Sequence, residues 1–159
     1  MALQLGDFQL FKERDDAKVV ERGVIKAEKK TQDWSCAGCG FVALDNFESN
    51  AYLDNNDASM TADWVGETVN FLASVNLPDG ATLTEGVVYG SDSNDSWNMI
   101  RVKISNKSTN TMIQTANVNT ITKNVSKEFI DNSKYAYFIE ASGERGDEIY
   151  GARIRYVIQ

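Results

Sequence analysis

The chain has 159 residues, 42% hydrophobic and 25% charged, the size and make-up of one globular domain with a core of its own. Its net charge of −7 opposes contact with nucleic-acid phosphates, and the densest basic patch, Lys26, Lys29 and Lys30, is too small to offset it. Histidine is absent, which excludes Ser-His-Asp and Cys-His nucleophiles and histidine metal sites and leaves any catalysis to carboxylates, Lys, Tyr or Cys. The expectation is a protein that is not an enzyme.

The opening residues, MALQLGDFQLFKERDD, lack a basic n-region followed by an apolar stretch, so no secretory leader is predicted. No apolar run approaches the ~20 residues that cross a bilayer, so no membrane partner is predicted. Residues 1–33 differ from the rest: an apolar group at Phe8, Leu10 and Phe11, a charged run from Lys12 to Asp16, then β-branched pairs at Val19-Val20 and Val24-Ile25 around Gly23. Two readings stand open here, an extended arm that packs on a neighbouring subunit or the first hairpin of the domain. Residues 34–159 are assigned to a single β-domain.

From residue 33 to 66 the chain is rich in Gly, Asn, Asp and Ser, with aromatics at Trp34, Phe41, Phe47, Tyr52 and Trp64. Short strands at 41–44 and 51–53 between long loops are predicted. The clearest pattern follows. Val69, Phe71, Ala73, Val75 and Leu77 occupy alternate positions, the period of a strand with one buried face. Pro78-Asp79-Gly80 then stops it with turn chemistry, and Ala81, Leu83, Val87 and Tyr89 resume in one phase. Ile100, Val102 and Ile104 alternate with Arg101 and Lys103; Met112, Ala116 and Val118 form a weaker run; Tyr135, Tyr137, Ile139 and Ala141 another. The last run places Tyr150, Ala152, Ile154, Tyr156 and Ile158 on one face and Arg153 and Arg155 on the other. Polar turns separate these runs, and Val125–Ile130 is read as a short helical turn. The fold class is therefore all-β: an antiparallel, jelly-roll-like sandwich of about eight strands.

Four groups of residues carry chemistry worth weighing. Cys36-Ala37-Gly38-Cys39 has the spacing of a redox dithiol, a short disulfide or half a zinc site; with no histidine and no third cysteine, zinc would need a second subunit, and two free thiols explain the pair equally well. Two loops have the oxygen-rich composition that calcium takes, Asp54, Asn56 and Asp57 in one and Asp92, Asn94 and Asp95 in the other; neither has EF-hand spacing, and turn capping accounts for both. Trp97 and Tyr52, with Trp34, Trp64 and Tyr89, would furnish a glycan-stacking platform if exposed; Trp97 stands outside the apolar phase of its own strand and is predicted to be the exposed one. Glu140, Glu144, Asp147 and Glu148 lie close in sequence, but the glycine-flanked segment 143–146 reads as a solvated hairpin turn. No catalytic residue and no cofactor is assigned, calcium aside.

The stretch FLASVNLPDGATLTEGVVYGSD, Trp97, the late Tyr-x-Tyr strand and Arg153-Ile154-Arg155-Tyr156 together resemble the jelly-roll-like β-sandwich domains of phage and archaeal virus structural proteins and of extracellular surface proteins. The resemblance covers residues 65–159 or so. It implies a structural subunit that associates with itself and with other virion or surface proteins, located in a virion or at a cell surface; a surface-filament subunit or a carbohydrate-binding module is the alternative.

Overall fold

A computed structural model of the chain describes residues 29–44, 51–53, 58–63, 68–126 and 129–158. The described residues form two five-stranded antiparallel sheets. The arm-or-hairpin question over the N-terminal segment lies outside the described residues, except for its last few positions. Those belong to β1 (Lys30–Ala37), so the sandwich begins ahead of residue 34. A 3-10 turn, Gly38–Gly40, leads from β1 to β2 (Val42–Ala43). Then follow β3 (Ala51–Leu53), β4 (Met60–Ala62), β5 (Val69–Val75), β6 (Thr82–Gly90), β7 (Ser96–Lys103), β8 (Thr109–Asn117), β9 (Tyr135–Gly143) and β10 (Glu148–Ile158).

One sheet is centred on β10, which pairs with β6 along one edge and with β1, then β4, along the other; β3 continues from β4. The second sheet runs β2-β5-β9-β7-β8. The strands either side of Pro78-Asp79-Gly80 thus lie in different sheets: the turn, closed by the Ala81 N–H on the Pro78 carbonyl at 3.1 Å, is a corner between the two layers. The antiparallel β-sandwich is the expected fold class, with ten strands among the described residues where about eight were expected. Among the described residues there is no α-helix; the helical turn expected over Val125–Ile130 is replaced by two single-residue bridges, Val125 with Ile113 and Phe129 with Thr82.

The two inner faces share one apolar core. Val69, Phe71, Ala73, Val75 and Leu77 are all buried, as their alternation requires, and so are Tyr137, Ile139 and Ala141 opposite them. The layers interlock where Gly86 of β6 faces Trp97 of β7. A Cβ at Gly86 would lie 2.7 Å from the Trp97 ring, 2.9 Å from Ile154 and 3.0 Å from Ile113. Glycine there is a requirement of volume, because the indole occupies the space of the missing side chain.

Three strands depart from the face assignments made above, and each has a local cause. On β7 the inward residues are Trp97 and Met99, both fully buried, with Arg101 next in the same phase and stacked 4.2 Å over the Tyr135 ring. The run Ile100-x-Val102 lies on the outer face, half-buried beside Phe138 and Ala136, and Ile104 is exposed beyond the strand end. On β6, Thr84 is an extra residue against Arg155 and Tyr156, and its hydroxyl donates to the Arg155 carbonyl at 3.1 Å. This bulge moves Gly86 and Val88 to the inner face and Tyr89 to the outer. On β10, Tyr150 is the extra residue between Ile149 and Gly151, so Ile149 is buried and Tyr150 is 48% exposed.

Gly86→Ala should overfill the core at the Trp97 contact and destabilise the domain by about 1–3 kcal/mol. Chemical denaturation measures it, and an unchanged unfolding midpoint would show that the sheets do not interlock at this point.

Candidate functional site

The connections after β6 and β9 lie side by side at one end of the sandwich. Ser91 N–H donates to the Glu148 carbonyl at 2.9 Å, and Glu148 N–H returns to the Ser91 hydroxyl at 2.8 Å. This pairing brings Asp92 and Asp95 of the first connection against Glu144 and Asp147 of the second. Gly143 packs against both: a Cβ there would lie 3.4 Å from Asp147 Cβ and 3.5 Å from Asp95 Oδ2 and from Phe71 Cε2. Asp147 Oδ2 accepts the Glu144 N–H at 2.8 Å, and Asp92 Oδ1 accepts from Asn94 N–H and Nδ2 at 2.8 and 2.9 Å. These are the Asx-capped turns that the composition suggests.

Asp95 is different. It is only 8% exposed, and its Oδ2 is buried with no hydrogen-bond partner among the described residues. Burial, then the charges of Asp147, Asp92 and Glu144, push its carboxyl up to about 7 from 3.8.

Of the calcium candidates, Asp92, Asn94 and Asp95 are thus in one connection, while Asp54, Asn56 and Asp57 lie outside the described residues. Asp147 and Glu144 are absent from the sequence-derived calcium set because their proximity is made by strand pairing more than 50 residues apart. Among the described residues, no three carboxylates or thiols converge as they stand on a point where an ion could sit.

Trp97 is 1% exposed and central to the core, which removes it from any glycan platform; the apolar run on its own strand that made it look exposed belongs to the outer face. Tyr52 is in β3, its side chain outside the described residues, as is Trp64. Trp34 packs half-buried against the core. Among the described residues the exposed aromatics are Phe129, Tyr89 and Tyr150; Tyr89 and Tyr150, 40% and 48% exposed, line a shallow depression of about 390 Å³ with Ser35, Cys36 and Arg153. Tyr150 was hidden from sequence reading by the bulge that turns it outward.

The thiols of Cys36 and Cys39 are free, Cys36 half-buried on the inward side of β1 and Cys39 exposed in the turn that follows. Burial holds the Cys36 thiol above its ordinary value.

A second feature concerns backbone. The segment after β8 lies along one side of the sandwich: Thr122 exchanges two hydrogen bonds with Gly86 of β6 at 2.9 and 3.0 Å, the Gln114 N–H of β8 donates to the Asn124 carbonyl at 3.0 Å, and the Ser126 N–H donates to the Met112 carbonyl of β8 at 2.7 Å. Ile130 likewise accepts from Gly80 and donates to Ala81. On the other side β1 is an edge strand: it pairs with β10 in unbroken register from Lys30 to Ala37, and no described residue pairs with its outer edge. Asp33, Arg155 and Glu85 form a charge ladder across β1, β10 and β6, with Arg155 Nε 2.9 Å from Asp33 and Nη1 2.8 Å from Glu85.

No protein-family model matches the chain, and no curated protein matches it. Among solved structures it is similar to the enzymatically active domain of bacteriophage CBA120 tailspike protein 4, at 10% identity and a TM-score of 0.23. The match covers 84% of this chain but only 17% of that one. A likeness that loose carries neither fold nor function across. No helix among the described residues is long and apolar enough to cross a membrane.

The Asp95 environment has a definite pH signature. Below pH 3.8 the carboxyl is neutral in folded and unfolded chains alike. Between 3.8 and about 7 the unfolded chain ionises while the folded one keeps its proton. Asp95 therefore removes stability as pH rises through that window, and the loss is complete above it. Asp95→Asn keeps the shape without the charge. It should raise the melting temperature at pH ~8 and leave it unchanged at pH ~3.5; a variant no more stable than wild type at the higher pH would contradict this account.

Proposed function

We propose that the chain is a non-catalytic structural subunit that associates with further copies of itself, most suitably as a capsid, decoration or tail component of a virion. The β1 edge carries this reading. Eight residues of regular strand, about 26 Å long, contain no proline and no bulge, and beyond Lys30 at its start the inward-phase residues Gln32, Trp34 and Cys36 carry no charge. Those are the devices that monomeric β-proteins use to keep edges from pairing; only Lys29 and Lys30 at its start serve that end. The partner we assign is a second copy of this chain, adding either its own β1 or its N-terminal segment as a further strand, a mode in which backbone hydrogen bonds supply the affinity. The absence of histidine supports the non-catalytic part.

Sedimentation velocity on the wild-type protein should show oligomers. The double variant Thr31→Lys, Ser35→Lys places charges on the exposed side of β1 and should yield folded monomers with an unchanged circular-dichroism spectrum. A wild-type protein that stays monomeric at high concentration overturns the assembly reading.

Carbohydrate binding has one observation in its favour, the Tyr89–Tyr150 depression. Stacking of a sugar there predicts retarded migration in polysaccharide-containing gels, lost in Tyr150→Ala. Equal mobility of the two proteins across a polysaccharide panel disposes of it.

A further inference from the structure

The outer faces of the two sheets are built differently. On the sheet centred on β10 the outward positions carry Asp33, Glu85, Arg153 and Arg155, charges suited to water. On the other sheet the register gathers apolar residues on the outside: Val42 opposite Leu72, Phe138 opposite Ile100, and Val102 one pair further along β7. Leu44 continues from Val42, its N–H on the Asn70 carbonyl at 2.9 Å. Val42 and Leu44 are 62% and 43% exposed, and the other four are half-buried. Across β2, β5, β9 and β7 the one charged residue in the outward phase is Glu140, whose carboxylate accepts from Asn98 Nδ2 at 3.2 Å. The remaining outward positions there are Asn, Ser or Ala.

An antiparallel sheet with one face in water alternates apolar and polar residues. β7 does not: Trp97 and Met99 are inside, Ile100 and Val102 outside. A contiguous apolar outer face of this kind marks a contact surface, and the charge pattern points to its occupant. The net charge of −7 sets copies of the chain against one another over most of their surfaces. On this face two copies can meet with no like charges opposed beyond the two Glu140 carboxylates.

We propose that pairs of chains joined at β1 stack through this face into tetramers. Stacking of this kind rests on the β1 pairing proposed above, taken as β1 on β1. Two identical antiparallel strands pair across a twofold axis perpendicular to their sheet. That operation keeps both second sheets on the same side of the pair, so their apolar outer faces point the same way. The pair is therefore bivalent. One face without charged anchors binds weakly, whereas two engaged at once gain roughly 10²–10⁴ in avidity. Stacking is thus a property of pairs and not of lone chains. Face meeting face across further twofold axes closes the assembly at four chains and leaves no apolar outer face over.

Native mass spectrometry and sedimentation velocity on the full chain test this. Wild-type protein should form tetramers. Ile100→Lys and Val42→Lys each set like charges against each other across the contact and should weaken dimer–dimer association roughly tenfold or more, leaving folded dimers with an unchanged circular-dichroism spectrum. The second variant, at an exposed position, keeps the test valid if the first does not fold. Thr31→Lys, Ser35→Lys should go to monomers instead, which separates the two contacts. Wild-type protein that stops at dimers at the highest concentration reached overturns the stacking and leaves the β1 pairing standing, as it would if another segment or protein occupies the face. Tetramers that persist undiminished in Val42→Lys also overturn it. Wild-type monomers overturn the β1 pairing, and the stacking with it.

Discussion

The fold depends on a single interpenetration, the Trp97 indole seated over Gly86. Close packing of two sheets needs large and small residues to alternate across the gap, and here the largest side chain of one layer meets the smallest of the other. The consequences run outward from that contact. Because Trp97 points inward, Met99 must follow it and Asn98, Ile100 and Val102 must face out. Because Gly86 points inward, β6 needs the extra residue at Thr84 to bring Leu83 and Val88 to the same face. The bulge is the cost of serving both ends of one strand.

Bulges also decide what is exposed. At Tyr150 the extra residue of β10 puts Ile149 into the core and the tyrosine ring into solvent beside Tyr89. A Cβ at Gly151 would lie 2.5 Å from the Cys36 carbonyl, so the chain passes β1 there at a distance only glycine permits. The shallow aromatic depression thus arises from the same irregularity that lets β10 keep β1 on one edge and β6 on the other. Its position next to Ser35 and Cys36 makes it a neighbour of the free edge, and a strand added to β1 would form part of its wall.

How much of this was legible in the sequence follows from where periodicity is conserved. Val69 to Leu77 and Tyr137 to Ala141 were read correctly because neither strand has a bulge, and alternation alone specifies a face. On β7 the same rule misled: both faces carry apolar residues, Ile100 and Val102 outside and Trp97 and Met99 inside, and an arginine at position 101 occupies the inner phase. Its charge is accommodated by the Tyr135 ring at the rim, a compensation made by a residue on another strand. β1 escaped notice since Lys30 to Ala37 alternates only weakly, with Gln32 and Trp34 as its inward residues. At the carboxylate junction, Asp92 and Asp95 were visible as an acidic turn, but their neighbours Glu144 and Asp147 come from a connection brought near by long-range pairing.

The two sides of the sandwich are treated differently among the described residues. The segment after β8 spends its backbone hydrogen bonds on the edges of both sheets, on β6 through Thr122 and on β8 through Asn124 and Ser126, and so protects that side of the sandwich completely among the described residues. No described residue does the same for β1. Under the assembly proposed above, these eight regular residues are where a second copy would add its strand. The Asp33–Arg155–Glu85 ladder behind it holds β1 flat against β10, which keeps the free N–H and C=O groups in the register that an incoming strand requires.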